Sequence, residues 1–230
     1  MDLTSNIENV KKRIEIAAAK AGRDPDGIRL VAVTKRVETP RIIEAVNMGV
    51  DTFGENYAQE LRDKAGIVRE STDSKVYWHF IGRLQKNKVK YLVGKVELIH
   101  SLDSLGAAEE IDKRAEKMGI RMPVLIEVGT GGEETKGGVS PGMLESFLAE
   151  VNGLKSLDVR GFMTMPPYFD DPESARPYFR ELRELRDRYS SQYPGLSELS
   201  MGMSGDFEVA IEEGATLVRV GTSIFGLRDK

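Results

Sequence analysis

The stretch Thr216-Leu217-Val218-Arg219-Val220-Gly221-Thr222 reads as a β-strand in which Leu217, Arg219 and Gly221 share one face, because side chains alternate along a strand. The apolar run containing it extends from Leu217 to Phe225. Seven comparable segments precede it: Ile28 to Lys35, Thr52 to Gly54, Tyr77 to Gly82, Leu98 to Leu102, Val124 to Val128, Val159 to Met165 and Leu199 to Ser204. Helical patterns alternate with them. Ile7, Val10, Ile14, Ala17 and Ala21 recur at helical spacing behind a capping box at Ser5 and Glu8, with Gly22 as the stop. Thr39-Pro40 caps a second helix, and others are expected from Asn56, from Leu84 to Val93, Ser104 to Met118, Ser140 to Val151, Asp171 to Tyr189 and Phe207 to Ile211.

Eight strands separated by helices in 230 residues suit a single (β/α)8 TIM-type barrel, which typically needs ~250. A doubly wound open sheet gives the same alternation. The leading helix favours the barrel: the sequence stops at Lys230, just after the last strand, so that helix is placed to cover the position of a missing final one. No linker, repeat or low-complexity tract divides residues 1–230, which are expected to form one domain.

Composition narrows the chemistry. Lys and Arg number 33 against 37 Asp and Glu, a net charge of −4 that argues against a dedicated nucleic-acid or anionic-membrane binder. The amino terminus has neither a basic start nor an apolar run, and no apolar stretch approaches the ~18 residues of a spanning helix. Cysteine is absent, which excludes disulfides, thiolate nucleophiles and Cys-ligated metal, and fits a reducing cytoplasm. Two histidines, His79 and His100, rule out a multi-His metal site. Chemistry falls to Lys, Arg, carboxylates, hydroxyls or a cofactor.

Working residues of a barrel lie at the carboxyl ends of its strands, and phosphate commonly binds behind strands seven and eight. In Val31-Ala32-Val33-Thr34-Lys35 a lysine ends the inner row: it either reaches water or presents a partly desolvated amine able to attack a carbonyl. Gly221 lets backbone approach a ligand, and the amides of Gly221 and Thr222 can donate to phosphate oxygens. Ser200-Met201-Gly202-Met203-Ser204-Gly205-Asp206 adds a Gly/Ser loop that opens a helix. Together the two strand ends form an expected phosphate cup, although each alone is ordinary turn chemistry.

Other motifs carry less. Asp206 replaces the last glycine of a hydrolase elbow, and Gly129 to Gly138 contains no P-loop and reads as a mobile loop at the barrel mouth. Arg83, Lys86, Lys88 and Lys90 read as a solvated helix face rather than an RNA contact. Glu184 and Arg188 are spaced for helix surface pairing, His79 for a satisfied core histidine, and Met163, Met165, Met201 and Met203 for core filler.

The set Val31 to Lys35, Phe53-Gly54-Glu55-Asn56-Tyr57, Trp78-His79-Phe80-Ile81-Gly82-Arg83-Leu84-Gln85 with Lys88, His100-Ser101-Leu102-Asp103, Gly161 to Met165, Leu199 to Ser204 and Arg219-Val220-Gly221-Thr222 resembles the pyridoxal phosphate homeostasis protein family. The likeness spans nearly the whole chain, and the family's fold is similar to the barrel domain of alanine racemase, of PLP fold type III, here without the second β domain. The resemblance implies pyridoxal 5′-phosphate (PLP) as cofactor, with Lys35 as Schiff-base lysine. It further implies Ser204, Gly221 and Thr222 on the phosphate, Arg219 facing the pyridine nitrogen, and Asn56 lining the ring pocket. Lys136 resembles a further family lysine, although Gly129-Thr130-Gly131-Gly132 before it departs from the pattern. A permanent cation at the ring nitrogen disfavours its protonation and weakens the electron sink of PLP catalysis. The expected protein is therefore a monomeric, cytoplasmic, non-catalytic carrier or buffer of PLP, with apo PLP-dependent enzymes as partners and no catalytic or metal-ligating residue. The alternative is an amino-acid racemase or decarboxylase on the same barrel.

Overall fold

A computed structural model describes residues 2–131 and 137–226. Eight parallel strands, β1 (Arg29–Val33), β2 (Thr52–Glu55), β3 (Tyr77–Phe80), β4 (Leu98–Leu102), β5 (Met122–Glu127), β6 (Leu157–Met163), β7 (Glu198–Ser200) and β8 (Leu217–Val220), close into a barrel in sequence order. Closure is made where Val31 of β1 pairs in register with Arg219 of β8. Around it lie α1 (Leu3–Lys20), α2 (Thr39–Asn47), α3 (Ala58–Ser71), α4 (Leu105–Met118), α5 (Leu144–Asn152), α6 (Arg176–Ser190), α7 (Phe207–Glu212) and α8 (Thr222–Phe225). The TIM-type reading holds.

The alternation along β8 separates two cores. Val218 and Val220 join the large cluster beneath the helices, whereas Leu217 joins a smaller one with Val31, Leu98, Leu125 and Met163. The smaller cluster fills the barrel interior, which in this fold is a packed core rather than a pore. Helix α1 packs on α7 and α8, and Asn6 Nδ2 donates to Ile224 O at 2.9 Å.

Several element ends differ from the sequence reading. The cap of α1 is Asp2, whose Oδ1 accepts from Thr4 N at 2.9 Å, so Ser5 and Glu8 lie inside the helix and make no capping box. Thr39 and Pro40 occupy the first turn of α2 behind Glu38, and α3 begins at Ala58 rather than Asn56. The Leu84–Val93 pattern is a 3-10 helix over Lys86–Tyr91, and the end of the last apolar run is the single turn α8. The first strand ends at Val33, which leaves Lys35 in the turn beyond it. Among the described ion pairs Glu184 does not meet Arg188; instead Arg176, Arg180 and Arg183 of α6 converge on the buried Glu213. Lys136 and the terminus at Lys230 lie outside the described residues.

Candidate functional site at the barrel mouth

Strand β8 carries Arg219 into the interior, where the residue is 4% exposed. Nη1 donates to Ser200 Oγ at 2.6 Å and Nη2 to Thr164 O at 2.9 Å. From Ser200 a buried chain continues: His100 Nδ1 lies 2.8 Å from Ser200 Oγ, and His79 Nδ1 lies 2.9 Å from His100 Nε2. Among the described residues His79 Nε2 has no partner. Burial, aided by Arg29, holds the His79 imidazole down at about 3, and burial with His79, Arg219 and Arg29 holds His100 well below the usual range. Both rings are neutral. The proton assignment that matches most donors runs from Ser200 O–H to His100 Nδ1, then from His100 Nε2–H to His79 Nδ1. Burial also lowers the Arg219 guanidinium to about 10, with Glu127 and Asp206 opposing the shift.

Above Arg219 opens a cavity of about 290 Å³. Lys35, Ser204, Arg219, Gly221 and Thr222 all line it, so five of the six residues singled out as cofactor ligands share one space. Lys35 is half-buried. At the other side of the cavity Ser204 Oγ accepts from Gly221 N at 3.2 Å and Ser223 N at 3.3 Å, and Asp206 Oδ1 accepts from Met203 N at 2.6 Å. Gly202 makes that loop possible: its φ is +89°, and a Cβ there would stand 2.8 Å from Phe207 Cα. The amides of Gly205 and Thr222 have no acceptor among the described residues. The cup thus offers hydroxyls and free N–H groups to an anion.

Asn56 stands apart. It borders a separate cavity of about 410 Å³ with Arg83, Gln85 and Lys88, and its Oδ1 is buried without a partner among the described residues. Arg83, Lys86 and Lys90 are exposed and Lys88 half-buried, with Arg83 ahead of the 3-10 turn that carries the three lysines. Met163 and Met201 are core, whereas Met165 is 48% exposed and Met203 lines the Lys35 cavity, so the filler reading fails for those two. His79 is a core histidine, but only half satisfied.

The sequence reading passed over Ser200, His100 and Glu127 as site residues. Glu127 ends β5 and lines a neighbouring cavity of about 400 Å³, whose Tyr168 and Met203 also border the Lys35 cavity. Burial and the nearby Asp103 push its carboxyl up to about 7 against Arg219 and Arg83. The available signal was inward alternation, at a strand's carboxyl end for Glu127 and Ser200 and in mid-strand for His100.

The sequence matches the family described as alanine racemase, N-terminal domain, over residues 5–229. A pyridoxal phosphate homeostasis protein of Aquifex aeolicus (strain VF5) is 51% identical over 229 residues, 99% of each chain. The structure of PipY of Synechococcus elongatus PCC7942 with PLP bound superposes with a TM-score of 0.85 at 30% identity, covering 98% of this chain and 100% of that one. An alanine racemase of Clostridium difficile 630 shares the fold at a TM-score of 0.74 and 15% identity, over 100% of this chain and 57% of its own.

Proposed function

The chain belongs to the pyridoxal phosphate homeostasis protein family, and we propose that it binds pyridoxal 5′-phosphate in the cavity between Lys35 and the Ser204 and Thr222 loops. One observation carries this reading: a single cavity is lined by a primary amine, a buried cation and an anion cup. The donor set fits the cofactor. Among the described residues Arg219 forms no direct ion pair, Glu127 and Asp206 acting on it only at longer range, so a bound anionic ligand would add a close countercharge, and the free Gly205 and Thr222 amides suit phosphate oxygens.

When bound, the cofactor supplies an aldehyde carbon. Lys35 would be the residue whose Nζ bonds to that carbon, the aldehyde oxygen leaving as water with the two amine protons. Ser204, Gly221 and Thr222 would hold the phosphate and Arg219 would face the ring nitrogen, whereas Asn56, expected to line the ring pocket, borders the separate cavity. No catalytic residue belongs to this reading: the protein carries or buffers PLP in the cytoplasm as a monomer, with residues 1–230 as one domain, and hands it to apo-enzymes. No described helix is long and apolar enough to cross a membrane.

The test is borohydride reduction of the yellow, PLP-loaded protein followed by peptide mapping. The pyridoxyl mass is expected on Lys35; a mass chiefly elsewhere, or no visible absorbance, overturns the reading. One observation favours the racemase or decarboxylase alternative: Glu127 stands at the mouth with a carboxyl near neutrality, suited to proton transfer.

A further inference from the structure

The turn that presents Lys35 is gripped from behind by a buried ion cluster. Val37 N donates to Thr34 O at 2.9 Å, closing the turn over Thr34–Val37. Inside it Arg36 has φ +58°, the left-handed conformation, and no other described non-glycine residue has a positive φ. That conformation is unfavourable for an L-residue, whose Cβ crowds the following carbonyl oxygen. Strain of this kind persists where the surroundings over-determine it.

Here the surroundings are Lys64, Glu60 and Glu55. Lys64 of α3 is 8% exposed, and its ammonium donates to Thr34 O at 2.7 Å, Glu55 Oε1 at 2.6 Å and Glu60 Oε2 at 2.7 Å. Glu60 Oε2 also accepts from Arg36 N at 2.9 Å. Glu55 is fully buried and satisfied: Oε1 accepts from Thr34 Oγ1 at 3.1 Å, and Oε2 from Asn56 N at 2.9 Å. Burial opposes charge on Glu60, but the bonds from Lys64 and the Arg36 amide outweigh it and hold the carboxyl below its usual range.

The Thr34 carbonyl belongs to the peptide before Lys35, and the Arg36 amide to the peptide after it. Both peptide planes flanking Lys35 are therefore pinned by one Lys64–Glu60 pair. We propose that Lys64 and Glu60 are positioning residues for the Lys35 amine, fixing the direction of its side chain toward the cofactor aldehyde. This rests on the reading of Lys35 as the cofactor-bonding lysine. A merely structural cluster would set stability alone; a positioning cluster sets the rate at which Lys35 bonds to the aldehyde, because small misplacements of reacting groups are costly.

Two probes separate these roles in the full-length protein. PLP reports both phosphate binding and bond formation, whereas pyridoxine 5′-phosphate carries an alcohol in place of the aldehyde and reports binding alone. In Glu60→Ala and Lys64→Met, stopped-flow absorbance is expected to show Lys35 bond formation slowed by about 10- to 100-fold. Pyridoxine 5′-phosphate affinity is expected to stay at the wild-type value, and Glu60→Gln, which keeps an acceptor for the Arg36 amide, to recover much of the rate. If Lys64→Met fails to fold, Glu60→Ala carries the test, since Glu60 is 33% exposed and its loss leaves Lys64 two acceptors. A wild-type rate in folded Glu60→Ala, or parallel loss of affinity for both probes, overturns the proposal. Peptide mapping of the wild-type protein keeps the two readings distinguishable: a mass away from Lys35 overturns the function and this inference together, whereas a mass on Lys35 with wild-type rates in the variants overturns this inference alone.

Discussion

Arg219 donates to Ser200 across 2.6 Å, and that bond is the first link of a chain that ties β8 to β7, β4 and β3 through His100 and His79. A charged guanidinium inside a barrel is expensive unless its donors are matched. Ser200 and the Thr164 carbonyl match two of them and hold the planar group at the floor of the Lys35 cavity. The orientation of the cation toward a ligand is thus set by residues that do not themselves line that cavity.

Ser200→Ala is the direct probe of this link. The substitution leaves an Arg219 N–H and the His100 Nδ1 lone pair buried without partners. Each such group costs about 1–3 kcal/mol, so a loss on the order of 3 kcal/mol is expected in urea denaturation. A loss below about 0.5 kcal/mol, the scale of an ordinary surface substitution, would contradict the described chain.

Lys35, Arg219, Ser204, Gly221 and Thr222 were legible in the sequence because each ends a strand or opens the loop after it, and period-two alternation tells which side chains point inward. Their supports were not. Ser200 meets His100 across a separation of 100 residues, and nothing local to either announces the other. Lys64 lies on a helix with a polar neighbour four residues back and reads as surface until closure brings Thr34 and Glu55 over it. Caps failed for a local reason: Asp2 and Ser5 are both acceptable N-caps for α1, as Thr39 is for α2, and where each helix begins depends on packing beyond it.

The two histidines predict acid sensitivity. Both have folded pKa values below the ordinary one of about 6.5, so their neutral forms contribute stability that is present above that value and lost as pH falls toward the folded values. Between pH 6.5 and 5, before most carboxylates titrate, unfolding free energy should fall by up to about 1.4 kcal/mol per pH unit for each histidine. His79→Gln, which keeps a partner for His100, should reduce that slope. An unchanged slope in this variant would show that His79 titrates normally.

Glu127 predicts the opposite sign. Its folded pKa is raised to about 7, so its contribution is present below the unfolded value of 4.5 and lost as pH rises through about 7. Asp103 on one side and Arg219 and Arg83 on the other set the balance at its carboxyl. Relative to wild type, Glu127→Gln should gain stability on going from pH 5 to pH 8, as thermal melts across that range can measure. A stability difference independent of pH would remove Glu127 from the list of groups titrating near neutrality.

The cup predicts discrimination by phosphate. PLP should bind far more tightly than pyridoxal, because hydroxyls and amides at Ser204, Gly205 and Thr222 form charge-assisted bonds only with the anion. Ser204→Ala combined with Thr222→Ala should narrow the gap by about tenfold or more, since hydrogen bonds to charged groups contribute about 1.5–3 kcal/mol each. Calorimetric titration of both ligands measures it, and equal affinities in the wild-type protein would refute the cup.

The carrier reading predicts negligible amino-acid turnover together with transfer of PLP to an apo-enzyme. On the carrier reading Arg219 supplies the chemical reason: held by Ser200 and Thr164, its cation would face the ring nitrogen, disfavour its protonation and weaken the electron sink that racemisation and decarboxylation require. A racemase also needs proton transfer on both faces of its substrate. Lys35 would serve one face, and Glu127 is the group at the mouth whose carboxyl titrates near neutrality. Proton transfer by a positioned side chain contributes about 10²- to 10⁴-fold, so Glu127→Gln should abolish any residual racemisation that runs through it. The loaded protein is incubated with each common L-amino acid while chirality and carbon dioxide are followed, and separately with an apo-enzyme whose recovered activity reports transfer. Turnover of about 1 s⁻¹ or more, the lower edge of the ordinary enzymatic range, would replace the carrier by an enzyme. Absence of both turnover and transfer would leave a protein that sequesters PLP, because handing it over requires the Lys35 bond to hydrolyse and the cup to release phosphate within the time of the assay.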